Sequence, residues 1–177
     1  MTNEEASLSS IGGEYASYLS QDLALLWRIP LRGETGTDEV AIALRERIKE
    51  LNCLYGISQL AERYLHSLDG LLQELVNFLP YSWQYPEVTC ARILFKAKTY
   101  TSAGFKVTNW RQSARIYMYH EPVGEVSIFY LKECPPADEG PFLKEERALL
   151  DTVAEQVGTI ATRISAEMEL EEANRQL

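Results

Sequence analysis

"GEVSIFYLKECPPADEGPFLKEERALLDTV", Gly124 to Val153, changes its hydrophobic period halfway along, and that change decides the fold. In the first part Val126, Ile128 and Tyr130 alternate with Glu125, Ser127, Phe129 and Leu131, the period of two expected of a strand. After an acidic, proline-containing loop the apolar residues return at helical spacing, as Leu149, Leu150, Val153, Val157, Ile160 and Ile164. A strand therefore feeds a long helix, and that helix carries no stop signal before Leu177.

Upstream, "PEVTCARILF" (Pro86–Phe95) and "ARIYMYH" (Ala114–His120) are rich in β-branched and aromatic residues over strand lengths, and "KTYTSAGF" (Lys98–Phe105) reads as a weaker strand. A hairpin turn is expected in "HEPVG", with Pro122 at its second position. Two helices precede the strands. The first runs from Thr37 to about His66, with one apolar stripe of Leu44, Ile48, Leu51 and Tyr55 and a second of Leu54, Ile57, Ala61 and Leu65. Ser67 then caps "LDGLLQELVNFLP", the clearest amphipathic pattern in the chain, which Pro80 ends. The expected fold is α+β, an antiparallel sheet flanked by long helices, with a C-terminal coiled-coil helix. Three regions follow: residues 1–36, an arm with a short amphipathic helix in "EYASYLSQDLALLWR"; residues 37–164, the domain; and residues 165–177, a helical connector.

Composition limits the function. With 177 residues, 46% hydrophobic and 24% charged, the chain is long enough for one ordinary core. A net charge of -9 argues against nucleic acid and anionic membrane surfaces, which need clustered Lys and Arg. No apolar run reaches membrane-spanning length and "MTNEEASLSS" lacks the regions of a signal peptide, so a cytoplasmic location is expected. Cys53, Cys90 and Cys134 are widely spaced with no CxxC pair, which argues against a disulfide framework or a metal site; no cofactor is expected.

Catalysis needs convergent groups, and none emerges. "IGG" at Ile11–Gly13 follows no strand and reads as a flexible joint. His120 in "HEP" falls in a turn rather than on a helix, and His66 at a helix junction is explained by a bond to a terminal carbonyl. Cys90 is a small apolar residue within a strand. Cys134 is expected to be exposed, with Glu133, Asp138 and Glu139 disfavouring its thiolate. Arg92, Tyr100, Trp110, Arg115, Tyr117 and Tyr119 are the candidates for a small ligand site on the sheet face opposite the long helices, with Arg92 or Arg115 as the anion partner. The competing reading makes Tyr117 and Tyr119 cross-strand packing pairs and Trp110 a lid on the core.

"PFLKEERALLDTVAEQVGTIA" after "VGEVSIFYL" resembles the closing segment of GAF domains, sensory modules of signalling proteins, through Pro141, Phe142, Glu145, Glu146, Leu149, Leu150, Ala154 and Gln156. "LYGISQLAE" and "SLDGLLQELVNFLP" are similar to the opening helices of the same domains, so the resemblance spans about Glu46 to Ile164. "LPYSWQYPEVTCARI" and "DEGPFLKEER" look like a subgroup found before sensor histidine kinases of two-component systems. The tail "ELEEANRQL" resembles the connectors that join such sensors to an output domain. The resemblance implies a non-catalytic domain that senses an unknown small molecule and passes a signal to an output module or partner signalling protein. Only "GFKVTNWRQ" stands where GAF domains build their pocket, which implies a small one, and the Asn-Lys-Phe-Asp-Glu signature of cyclic-nucleotide binders is absent. Some GAF-fold proteins reduce free methionine sulfoxide with thiols, which gives an enzyme alternative on Cys90 or Cys134.

The open-ended helix then has a use. Leu150, Val153, Val157, Ile160 and Ile164 follow the 3-4 alternation of a coiled-coil seam, and the pattern returns out of phase as Leu170, Ala173 and Leu177. A parallel homodimer is expected in which this seam and Leu44, Ile48 and Leu51 form a four-helix bundle. A dimerisation scaffold that binds no ligand is the alternative.

Overall fold

The computed structural model describes residues 37–177. The arm expected over residues 1–36 lies outside them. The chain divides into two compact units, Met1–Gln59 and Leu60–Leu177.

The described part of the first unit is helical and belongs to α1, Thr37–Arg63. Its two predicted stripes differ in exposure. Leu44, Leu51 and Tyr55 are 60%, 53% and 57% exposed and Ile48 is half-buried, whereas in the second stripe Ile57 and Ala61 are buried and Leu54 and Leu65 half-buried.

In the second unit, α2 (Leu68–Phe78) starts where the sequence places it. Ser67 is extended and its hydroxyl accepts from Gly70 N at 3.1 Å, satisfying one of the helix's orphan donors. Leu71, Leu72, Leu75, Val76 and Phe78 form the buried face. A 3-10 turn at Leu79–Ser82 absorbs Pro80, and Trp83 is then fully buried, its indole Nε1 donating to Gln112 Oε1 at 2.9 Å.

Four antiparallel strands follow: β1 (Thr89–Phe95), β2 (Lys98–Thr101), β3 (Arg111–Met118) and β4 (Glu121–Tyr130), in the spatial order β2-β1-β4-β3. Register separates the two faces. The row Tyr100, Ile93, Val126, Ala114 is buried, while the next row, Thr101, Arg92, Ser127, Ser113, lies on the opposite face and is polar. Both helices of this unit cover the first face: α2 over β1 and β2, and the long closing helix α3 (Lys144–Arg175) mainly over β3.

The hairpin departs from expectation. Its turn is Tyr119–His120, with φ of 50° and 65°, not the segment around Pro122. Pro122 lies in β4 opposite Tyr117, next to a register shift between Ile116 and Tyr117. β1 pairs with β4 only from Gly124 onward, so the proline occupies the strand end, where a missing N–H donor disturbs the ladder least.

α3 starts at a buried carboxylate. Glu146, 2% exposed, accepts from Leu143 N at 2.9 Å, from Gln84 N at 2.7 Å and from the Tyr130 hydroxyl at 3.3 Å. Leu150, Val153, Val157, Ile160 and Ile164, expected at a subunit interface, are buried within the single chain. Their 3-4 spacing is that of a helix laid on a sheet, so as side chains of this fold they are core and not an exposed seam. Beyond Ile164 the helix surfaces: Met168 and Leu170 are exposed, as are all residues from Met168 to Leu177.

Gly158 sets how close α3 lies to β3. A Cβ added there would stand 2.2 Å from the Tyr117 carbonyl oxygen. In a free helix Gly→Ala stabilises by roughly 1 kcal/mol, but overpacking against rigid backbone costs about 1–3 kcal/mol. The clash wins. Gly158→Ala is expected to lower the denaturant midpoint; an equal or higher midpoint would mean that the helix can move away from β3 without loss.

Candidate functional site

A groove of about 800 Å³ runs between the free edge of β3 and the flank of α3. Its strand wall is Ser113, Ala114, Arg115, Tyr117, Tyr119 and His120, and its helix wall is Asp151, Glu155, Gly158, Thr159 and Thr162. Local structure fixes both walls. On α3 the spacing 151, 155, 159, 162 puts the polar residues on one stripe beside the apolar stripe that seats the helix. On β3 the two-residue period sends alternate backbone groups toward the helix.

At two places α3 engages that edge. Arg147 Nη1 donates to the Ser113 carbonyl at 2.8 Å, and Gly158 abuts the Tyr117 carbonyl. Arg147 also grips Glu139 at 2.6 and 2.8 Å and Asp151 at 3.1 Å. The network continues through Gln112, which lies 3.5 Å from Glu139 and accepts from Trp83. Groove and core are thus mechanically joined through one guanidinium.

The six predicted ligand residues separate. Arg115, Tyr117 and Tyr119 meet in the groove. Tyr100 lies on the helix-covered face, hydrogen-bonded to Asp69; burial first and Asp69 second push its phenol up to about 12. Trp110 precedes β3, and its carbonyl accepts from Tyr130 N at 3.0 Å. Arg92 lies on the sheet's other face, over the rings of Phe129 and Phe105 at 5.4 and 5.9 Å. Its Nε is buried without an acceptor and the nearest carboxylate, Glu125, is 4.0 Å from Nη2. Among the described residues the open face therefore offers one under-satisfied guanidinium, while the groove gathers charges of both signs.

Sequence reasoning missed Asp151, Glu155, Thr159 and Thr162, and set His120 aside. The available signal was the polar i, i+4, i+8, i+11 stripe beside the apolar one, a pattern shared with any solvated helix face. Cys134 corrects another expectation: it is buried, not exposed, and burial raises its thiol, with Lys132 partly opposing. Burial likewise raises the Cys90 thiol, against a hydrogen bond to the Lys106 carbonyl. Neither thiol is tuned for nucleophilic attack.

Hydrogen bonds from Arg147 hold the Glu139 carboxyl below its ordinary value of 4.5, against the opposing effect of partial burial. A carboxyl depressed in the folded state stabilises it above the unfolded value and loses that contribution as pH falls through the folded one. The urea midpoint of the wild-type chain should therefore fall more steeply below pH 4.5 than that of Glu139→Gln. Parallel acid limbs in the two proteins would mean that the Arg147 contact does not couple to folding.

Among the described residues no helix is long and apolar enough to cross a membrane. No protein-family model, no curated protein and no solved structure matches this chain, so the groove's own geometry carries the functional reading.

Proposed function

We propose that this chain is a non-catalytic regulatory domain, GAF-like in kind, that binds a small ligand between β3 and α3 and passes the effect along α3 to an output module such as a histidine kinase. One observation carries the reading: the helix that forms one wall of the groove is the helix whose last turns are exposed. A ligand that touches α3 can bind two seatings of that helix unequally, which is the thermodynamic requirement for a signal. Arg147 and Gly158 supply the contacts that would differ between the seatings. The cytoplasm suits such a module, given its acidic charge and its three widely spaced cysteines with no CxxC pair.

Homodimerisation belongs to the same proposal, relocated from the buried α3 seam to α1. Leu44, Leu51 and Tyr55, with Ile48, repeat at 4-3-4 spacing and are left largely exposed. Burying such side chains in a second copy is worth roughly 1.5–3 kcal/mol each. This stripe equally supports the scaffold alternative, which requires no ligand.

Two measurements separate the readings. In sedimentation the wild-type chain is expected at dimer mass and Leu44→Glu/Leu51→Glu at monomer mass, with unchanged circular dichroism; a variant that stays dimeric removes the α1 interface. In a thermal-shift screen of a metabolite library, the sensor reading expects a compound that stabilises the wild-type chain but not Thr159→Trp, whose indole fills the groove. A library that stabilises neither protein leaves the scaffold.

A further inference from the structure

We propose that the groove binds a small zwitterion, a free α-amino acid, with its carboxylate at Arg115 and its ammonium at Glu155; this rests on the reading of the groove as the ligand site.

The charges come first. Among the described residues neither the Arg115 guanidinium nor the Glu155 carboxylate has an ion-pair partner. Arg115 faces Glu125 in the strand register, yet that carboxylate accepts from Ser127 and lies beside Arg92 instead. Glu155 on α3 and Arg115 on β3, both without ion-pair partners, thus line one groove; the register turns Arg115 to the sheet face away from α3, so its side chain reaches the groove round the free edge of β3. A molecule that carries both signs completes both at once.

Hydrogen-bonding capacity follows the same division. The Thr159 hydroxyl donates to the Glu155 carbonyl at 3.1 Å and the Thr162 hydroxyl to the Gly158 carbonyl at 2.8 Å. With their hydrogens committed to the helix backbone, these oxygens can only accept. The helix wall therefore offers acceptors alone, which suits an ammonium with three donors. Arg115 offers a planar fork of donors, which suits a carboxylate.

The turn supplies the groove's aromatic side. Tyr119 and His120 both adopt left-handed backbone, the conformation that a two-residue hairpin turn of this type requires. Both line the groove, and with Tyr117 they give it an aromatic side for the amino acid's body. Size excludes a longer occupant that pairs with the strand: Arg147 and Gly158 engage the β3 edge at Ser113 and Tyr117, leaving only Arg115's backbone between them.

The test uses the full chain and the free proteinogenic amino acids, each titrated by calorimetry. At least one is expected to bind saturably, and about tenfold more tightly than either its decarboxylated amine or its deaminated acid, each of which lacks one charge. Arg115→Gln should bring that amino acid down to the level of its amine, and Glu155→Gln to the level of its acid; both positions are exposed, so the fold is retained. The zwitterion is overturned if no amino acid binds, if a singly charged analogue binds as tightly, or if both variants bind like the wild type. Amide exchange over Glu167–Leu177 decides the relay separately. Binding with unchanged exchange supports the zwitterion and refutes the relay, whereas a different library compound that slows exchange while no amino acid binds does the reverse.

Discussion

The carboxylate of Glu146 is the constraint from which the arrangement of the second unit follows. An ionised carboxylate taken out of water costs several kcal/mol unless its oxygens are hydrogen-bonded. Here Gln84 N, Leu143 N and the Tyr130 hydroxyl provide those bonds, and bonds to charged groups contribute roughly 1.5–3 kcal/mol each. The three donors come from the segment after α2, the entry to α3 and the end of β4. A single side chain thereby fixes where the closing helix starts relative to the sheet. The Tyr130 phenol, pushed well above its ordinary range by burial and then by Glu146, stays protonated and remains a donor.

With that start fixed, the Gly158 contact fixes the helix's height over β3, and the groove is the space left between helix and strand edge. The site is a by-product of seating. Its walls belong to elements whose other sides are core: the stripe holding Glu155 and Thr159 flanks Val153 and Val157, and Arg115 lies between buried Ala114 and Ile116. Rigid backbones of this kind are what hold the two walls of the groove apart.

Much of this fold was legible where the cause was local. Ser67 announced α2 because capping involves only the next three residues, and the alternation from Val126 to Tyr130 marked β4 because one face of a strand repeats every second residue. Pro122 misled because it lies in β4 beyond the stretch that β1 pairs with, where a strand tolerates proline, and no local pattern records how far β1 reaches. The α3 seam misled for a related reason: 3-4 spacing is common to a helix on a sheet and a helix on its twin, and only burial separates them. Cys134 was misjudged, and the burial of Glu146 went unread, because burial is set by residues far along the chain. The Glu146 bond to Gln84 spans 62 positions. Half of the ligand candidates converged, and the helix wall stayed hidden because polar residues on a helix usually face only solvent.

The stitching of the β3 edge has a consequence for solubility. An open sheet has two borders where another molecule's strand can attach and begin a growing aggregate. On one border Arg147 occupies the Ser113 carbonyl and Gly158 crowds that of Tyr117. The other border, β2, is four residues long and opens with an exposed lysine, Lys98. Neither border offers a long, unoccupied template for a further strand, although the sheet never closes into a barrel.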